Sequence, residues 1–161
     1  MSLLSIFISL FITNSFTNEL VIKTYNTFDK KEYYAAFASN DVTIVNNELN
    51  VLKSNAGLLA YEGALLMKKA SLVGNPKDKL SLMKEGKNKL ETTISKNPTI
   101  IEYYFLRYMI QDNAPSFLGY NSNLEADRKK IIAEYKNFDP ILKDAIVNYS
   151  KTSKTLSLNQ F

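Results

Sequence analysis

The chain of 161 residues contains no cysteine and no histidine. Without cysteine there is no disulfide framework, no thiolate metal site and no thiol nucleophile. Without histidine the usual general base, the commonest transition-metal ligand and the side chain that titrates near neutrality are missing. Tryptophan is absent as well, and nothing follows from that. The five glycines are scattered, so no glycine-rich phosphate loop exists. Arginine is confined to Arg107 and Arg128, and the net charge is only +4. Both facts argue against a nucleic-acid partner, because the guanidinium fork is what reads guanine and clamps phosphate. No cofactor and no metal site is expected.

What is present describes a folded protein. Hydrophobic residues make up 45% of the chain and charged residues 22%, a globular balance and not that of a disordered segment. The length predicts one domain with a core of its own. At the start, an apolar run from Leu3 to Ile12 is interrupted only by serines. As a helix it would span about 15 Å, half of a bilayer core. Thr13, Ser15 and Thr17 follow as small polar residues, so residues 1–17 are read as a secretory signal peptide cleaved after Ser15 or Thr17. No Lys or Arg precedes the run, and the alternative is a buried first helix. No cysteine follows, which excludes a lipoprotein anchor. Beyond residue 17 no stretch approaches the roughly 20 apolar residues of a spanning helix. The mature protein is therefore expected in the periplasm or outside the cell, with no transmembrane span.

Residues 18–150 are expected to form an all-α domain of about seven helices, beginning with a short frayed segment at Asn18–Tyr25. Asp29 can cap a first helix to about Ser39, with Tyr33, Tyr34 and Phe37 on one face. Asp41 caps a second, whose Val42, Val45, Leu49 and Leu52 recur every three or four residues. A third, from about Ala56 to Val73, carries a stripe of small residues that includes Ala60, Gly63, Ala64 and Ala70. It is apolar nearly all round, which marks it as the core helix. Asn75-Pro76 starts a fourth helix to about Lys96, with Asn as cap and Pro at the first helical position. Asn97-Pro98 is read the same way, opening a fifth to about Gln111. An apolar loop, Asp112 to Asn121, holds Pro115, Phe117, Leu118, Gly119 and Tyr120. Ser122 and Glu125 have the spacing of a capping box for a sixth helix to about Asn137, and Asp139-Pro140 opens a seventh. Residues 151–161, rich in Ser, Thr and Lys, are expected as a flexible polar tail.

The stretch from Leu59 to Pro98 resembles a tetratricopeptide helix pair. Gly63-Ala64 sits where the first helix of such a repeat carries its small residues, and Gly86, Leu90 and the closing Lys96-Asn97-Pro98 match its second helix and terminal proline. The span from Gly63 to Pro98 is about eleven residues longer than in that repeat, and the flanking helices show no clear second copy. The resemblance implies an antiparallel array of helical hairpins that binds another protein along a groove. The region from Ala60 through Tyr135, with Phe117-Leu118-Gly119-Tyr120, is also similar to a group of uncharacterised exported bacterial all-helical proteins. That likeness implies fold and compartment only.

Few residues suggest chemistry. Ser81-Leu82-Met83-Lys84 has a serine–lysine spacing, but it lacks the other elements of such enzymes and fits an exposed helix face. Glu62 and Glu102 are single acids on apolar helices, where burial would raise a carboxyl toward a catalytic range. Pairing with a tyrosine or lysine is the plainer expectation for each. Asp112, Glu125 and Asp127 border the apolar loop and could hold calcium, without following the spacing of an EF-hand. Between Lys68 and Lys96 eight lysines face only Asp78, Glu85 and Glu91. Such a segment either is a solvated face or steers an acidic partner, an anionic lipid surface or a polyanionic glycan. Phe117 and Tyr120 either plug the core or present a hydrophobic contact. The leading expectation is thus a non-catalytic protein–protein interaction module, with Phe117, Tyr120, Lys84 and Lys87 as partner-binding residues. An enzyme using Glu62 or Glu102, or a binder of anionic lipid or glycan, is the alternative.

Overall fold

The computed structural model describes residues 28–161. The expected signal peptide and the segment Asn18–Tyr25 lie outside the described residues. Seven α-helices follow in order: α1 Lys30–Ala38, α2 Val42–Lys53, α3 Leu59–Leu72, α4 Pro76–Lys96, α5 Ile101–Asn113, α6 Leu124–Glu134 and α7 Pro140–Ser150. Among the described residues there is no strand, so the all-α expectation holds. No helix of the described residues is long and apolar enough to cross a membrane.

Most helix starts obey local chemistry. The carboxylate of Asp29 accepts from the N–H groups of Lys31 and Glu32, that of Asp41 from Thr43 and that of Asp139 from Leu142. Asn75 caps α4 through Lys77 N–H, with Pro76 in the first turn. Each satisfies a donor that the helix itself leaves orphaned. Two expected starts fail. Asn97 closes α4 instead of opening α5, its amide donating back to the Thr93 carbonyl at 3.0 Å. Pro98 therefore stands in a turn, and α5 begins at Ile101 with no side-chain cap. At α6 the Ser122 hydroxyl donates to the Asn123 side chain and Glu125 pairs with Arg128, so no capping box forms.

The two central helices are buried differently. In α3 every residue from Ala60 to Met67 is buried, and the helix packs on α2, α4 and α5. The small-residue stripe is used for α4. A Cβ on Gly63 would lie 2.6 Å from the Gly86 carbonyl oxygen, and one on Gly86 would lie 2.5 Å from that of Gly63. The two backbones cross in direct contact, with Met67 beside Gly86 and Leu90 beside Gly63. The register shows that the helices run antiparallel, and only glycine permits the approach. In α5 the whole run from Glu102 to Asp112 is buried, among α3, α4, α6 and α7. With α3 it forms the buried centre of the fold. Its burial takes in Glu102, Arg107, Gln111 and Asp112, each of which needs partners.

The closing residues are not a loose tail. Asp112, 5% exposed, accepts hydrogen bonds from the hydroxyls of Ser153 and Thr155, the N–H of Lys154 and the Tyr149 hydroxyl. Leu156 then enters the core at 2% exposure, and Phe161 stacks on Tyr135 at 4.4 Å. The polar composition that suggests a solvated tail supplies the donors for a buried carboxylate that pairs with no cation among the described residues.

Candidate functional site

Both singled-out glutamates are buried and paired. The Glu62 carboxylate receives the Lys89 ammonium at 2.6 Å, and Lys89 also holds Glu85. Burial opposes the Lys89 charge, yet the two carboxylates outweigh it and raise its pKa. Glu102 takes Lys30 on one oxygen and the Tyr34 hydroxyl on the other, both at 2.8 Å. Burial, then the Glu102 charge, pushes the Tyr34 hydroxyl well above its ordinary value, so it donates. Lys30 reaches on to Asp139 at 2.8 Å and ties α1 to α5 and α7. These are structural ion pairs that join helices distant in sequence. A groove of about 390 Å³ opens between the start of α3 and the C-terminal half of α4, lined by Asn88, Lys89, Thr92, Thr93, Lys96 and Tyr103 among others. Neither glutamate lines it.

The other candidates separate. Ser81 is exposed on α4. The three acids named for calcium go to three different places: Asp112 to the closing segment, Glu125 to Arg128 and Lys129, Asp127 to Arg107. Among the described residues no group of three potential ligands gathers for a metal ion.

What the sequence reading passes over is Arg107. Its Nε and Nη2 fork onto the two Asp127 oxygens at 2.7 and 2.8 Å, and its Nη1 reaches Glu91 at 2.7 Å. The second Glu91 oxygen accepts the Tyr120 hydroxyl at 2.6 Å. One guanidinium thus joins α4, α5, α6 and the loop after α5. Burial pushes the Asp127 carboxyl up, and Arg107 offsets only part of that push. Burial and the Glu91 acceptor likewise raise the Tyr120 hydroxyl. A bidentate, desolvated contact of this kind positions its groups more tightly than a surface pair. The one signal in the sequence is a lone arginine inside an apolar helix. Beside it, Gln111 is 2% exposed and its amide finds no partner among the described residues.

This network braces an exposed tip. After Pro115 a single turn of 3₁₀ helix, Ser116–Leu118, ends at Gly119, whose φ of +60° is a left-handed value that suits glycine. Tyr120 then turns inward at 7% exposure, and the Lys87 ammonium sits 4.8 Å above its ring. Of the four expected contact residues, Tyr120 is therefore part of the brace and not of the surface. Phe117 stays 85% exposed and Leu118 48%. Lys84 and Lys87 are exposed on α4, and neither takes part in an ion pair among the described residues. The structure thus brings Lys87 and Tyr120 together, with Lys84 one turn away and Phe117 at the tip of the same loop. No protein-family model, no curated protein and no solved structure matches the chain.

Proposed function

We propose that the protein is a non-catalytic interaction module, exported behind its 1–17 leader to the periplasm or beyond the cell. On this reading its helices form one domain, an array of antiparallel hairpins of tetratricopeptide-like kind, of which α3–α4 is the best-defined pair. Another protein is its partner, and the contact centres on Phe117 and Leu118. The observation that carries the reading is the exposure of that apolar pair on a loop fixed from below by Tyr120, Glu91 and Arg107. A large aromatic side chain left in water on a braced turn is the form that a binding anchor takes. The pairing of Glu62 and Glu102 with lysines adds support, since each carboxylate already has a structural task.

The test is site-specific photocrosslinking in the producing cell. A photoreactive phenylalanine analogue in place of Phe117 is expected to give discrete protein adducts. The same analogue at Thr43, exposed on α2, should give none. Equal labelling from both positions, or no adduct from either, contradicts the reading.

A further inference from the structure

The outer face of α4 carries a second feature in line with the tip. Lys77, Leu80, Lys84, Lys87 and Glu91 follow one another at intervals of three and four residues, so they form a single stripe. From Lys77 to Lys87 it runs for about 15 Å along the helix. Its end meets the loop, where Lys87 covers the Tyr120 ring and Glu91 accepts the Tyr120 hydroxyl. Leu80 is 72% exposed in the middle of it.

The charge on this stripe is uncompensated. Glu91, its only acid, is taken by Arg107 and Tyr120. Glu85 lies on another face and is bound to Lys89. Asp78 is turned away from the stripe by the helical period. Across the joint with α6, Asp127 is neutralised by the Arg107 fork. Lys77, Lys84 and Lys87 take part in no ion pair among the described residues. The surface therefore presents three cations in a row, an apolar side chain among them, and an apolar tip at one end.

We infer that this row receives an acidic, amphipathic segment of the partner protein. Its carboxylates would meet Lys77, Lys84 and Lys87, and its apolar side chains would meet Leu80 and the Phe117–Leu118 tip. The inference rests on the contact function proposed above and supplies its chemistry. A linear array of alternating charge and apolar surface suits a linear segment, whereas insertion into a lipid surface asks for apolar groups gathered at one depth. Lysines on a rim contribute through long-range attraction, so the interaction is salt-sensitive.

The experiment is selection of random dodecapeptides on the immobilised full chain, followed by titration of the enriched peptide. Three proteins are compared: the unaltered chain, Phe117→Ser/Leu118→Ser and Lys84→Glu/Lys87→Glu. Each altered residue is exposed, and circular dichroism checks that each variant folds. Enriched peptides are expected to combine acidic with large apolar residues. The charge-reversed protein should bind them about tenfold more weakly at low salt, as two exposed pairs turn repulsive. The tip variant should lose them as well. Enrichment that depends on Phe117 but shows no acidic bias and ignores the lysine reversal overturns the inference and leaves the contact reading standing. Enrichment indifferent to Phe117 and Leu118 overturns both. No enrichment also overturns the inference. If that chain then sediments with phosphatidylglycerol vesicles and the lysine reversal abolishes it, the surface belongs to lipid.

Discussion

The joint between α3 and α4 and the joint between α5 and α6 solve the same packing problem in opposite ways. At the first, two glycines let the backbones touch, and the contact is apolar except for the Glu62–Lys89 pair at its margin. At the second, a buried guanidinium is satisfied by carboxylates from two neighbouring helices. The first joint depends on shape and fails if volume is added. The second depends on completeness and fails if one member is removed. The exposed tip hangs on the second kind of joint, through Tyr120 and Glu91.

The largest effect is expected at the polar joint. Replacing Arg107 by Met leaves Asp127, 1% exposed, without its cation, and should cost about 3–5 kcal/mol in urea unfolding. Replacing Asp127 by Leu in the same chain should restore much of that loss. A single variant as stable as the parent would break the comparison. Next comes the apolar joint. Gly86→Ala improves helix propensity by about 1 kcal/mol. Its new methyl nonetheless falls 2.5 Å from the Gly63 carbonyl oxygen. The helices must part, and a net loss of about 1–3 kcal/mol should appear in thermal melting. A gain there would mean that the backbones do not touch.

These two joints differ as much in how far the sequence reveals them. Gly63 could be placed on a stripe because small residues at helical spacing leave a local trace, whereas its contact with Gly86 is a matter of tertiary packing. The caps at Asp29, Asp41, Asn75 and Asp139 were legible for the same reason, since each acts within three residues of itself. Asn97 and Ser122 show the limit. Each carries the right side chain at the right spacing, and a competing partner close by takes it instead. The polar network leaves one local trace, a lone arginine in an apolar helix, and nothing that names its partners. Arg107 meets residues 16 and 20 positions away, and Asp112 meets Ser153 and Thr155, 41 and 43 positions on. Composition marks the final segment as tail, and the distant carboxylate, with Leu156 and Phe161 packed inward, explains why it is fastened. Of the expected contact residues, Phe117 stays exposed in its loop, whereas Tyr120 in that loop turns inward because Glu91 is there to accept it.

The fastening of the closing segment gives a further test of the polar half. Asp112→Ala removes the acceptor of four donors, so a loss of about 1–3 kcal/mol is expected, as buried donors go unpaired. Limited proteolysis should then cut within residues 151–161 before any helix. Uniform resistance there would mean that Leu156 and Phe161 hold the segment unaided.

A smaller effect lies in the pH dependence. The hydrogen bond from Lys30, opposed by partial burial, holds the Asp139 carboxyl below its ordinary 3.8. Between its folded and unfolded values the unfolded chain binds more proton, so stability rises with pH there. The contribution is complete above the unfolded value and is lost as the pH falls below it. Asp139→Asn should therefore flatten part of the acid decline in urea midpoints between about pH 5 and pH 2. An unchanged slope would mean that the α1–α7 tie through Lys30 does not act in solution.

The central claim is that Phe117 is held out for contact and does nothing for the fold. Urea unfolding of Phe117→Ser tests it most directly, with Phe105→Ala, a fully buried residue of α5, as the reference. The expected result is a folding free energy within about 0.5 kcal/mol of the parent for Phe117→Ser, against a loss of about 3–5 kcal/mol for Phe105→Ala. A loss above about 1 kcal/mol at Phe117 would show a side chain working for the core, and the contact reading would fall with it.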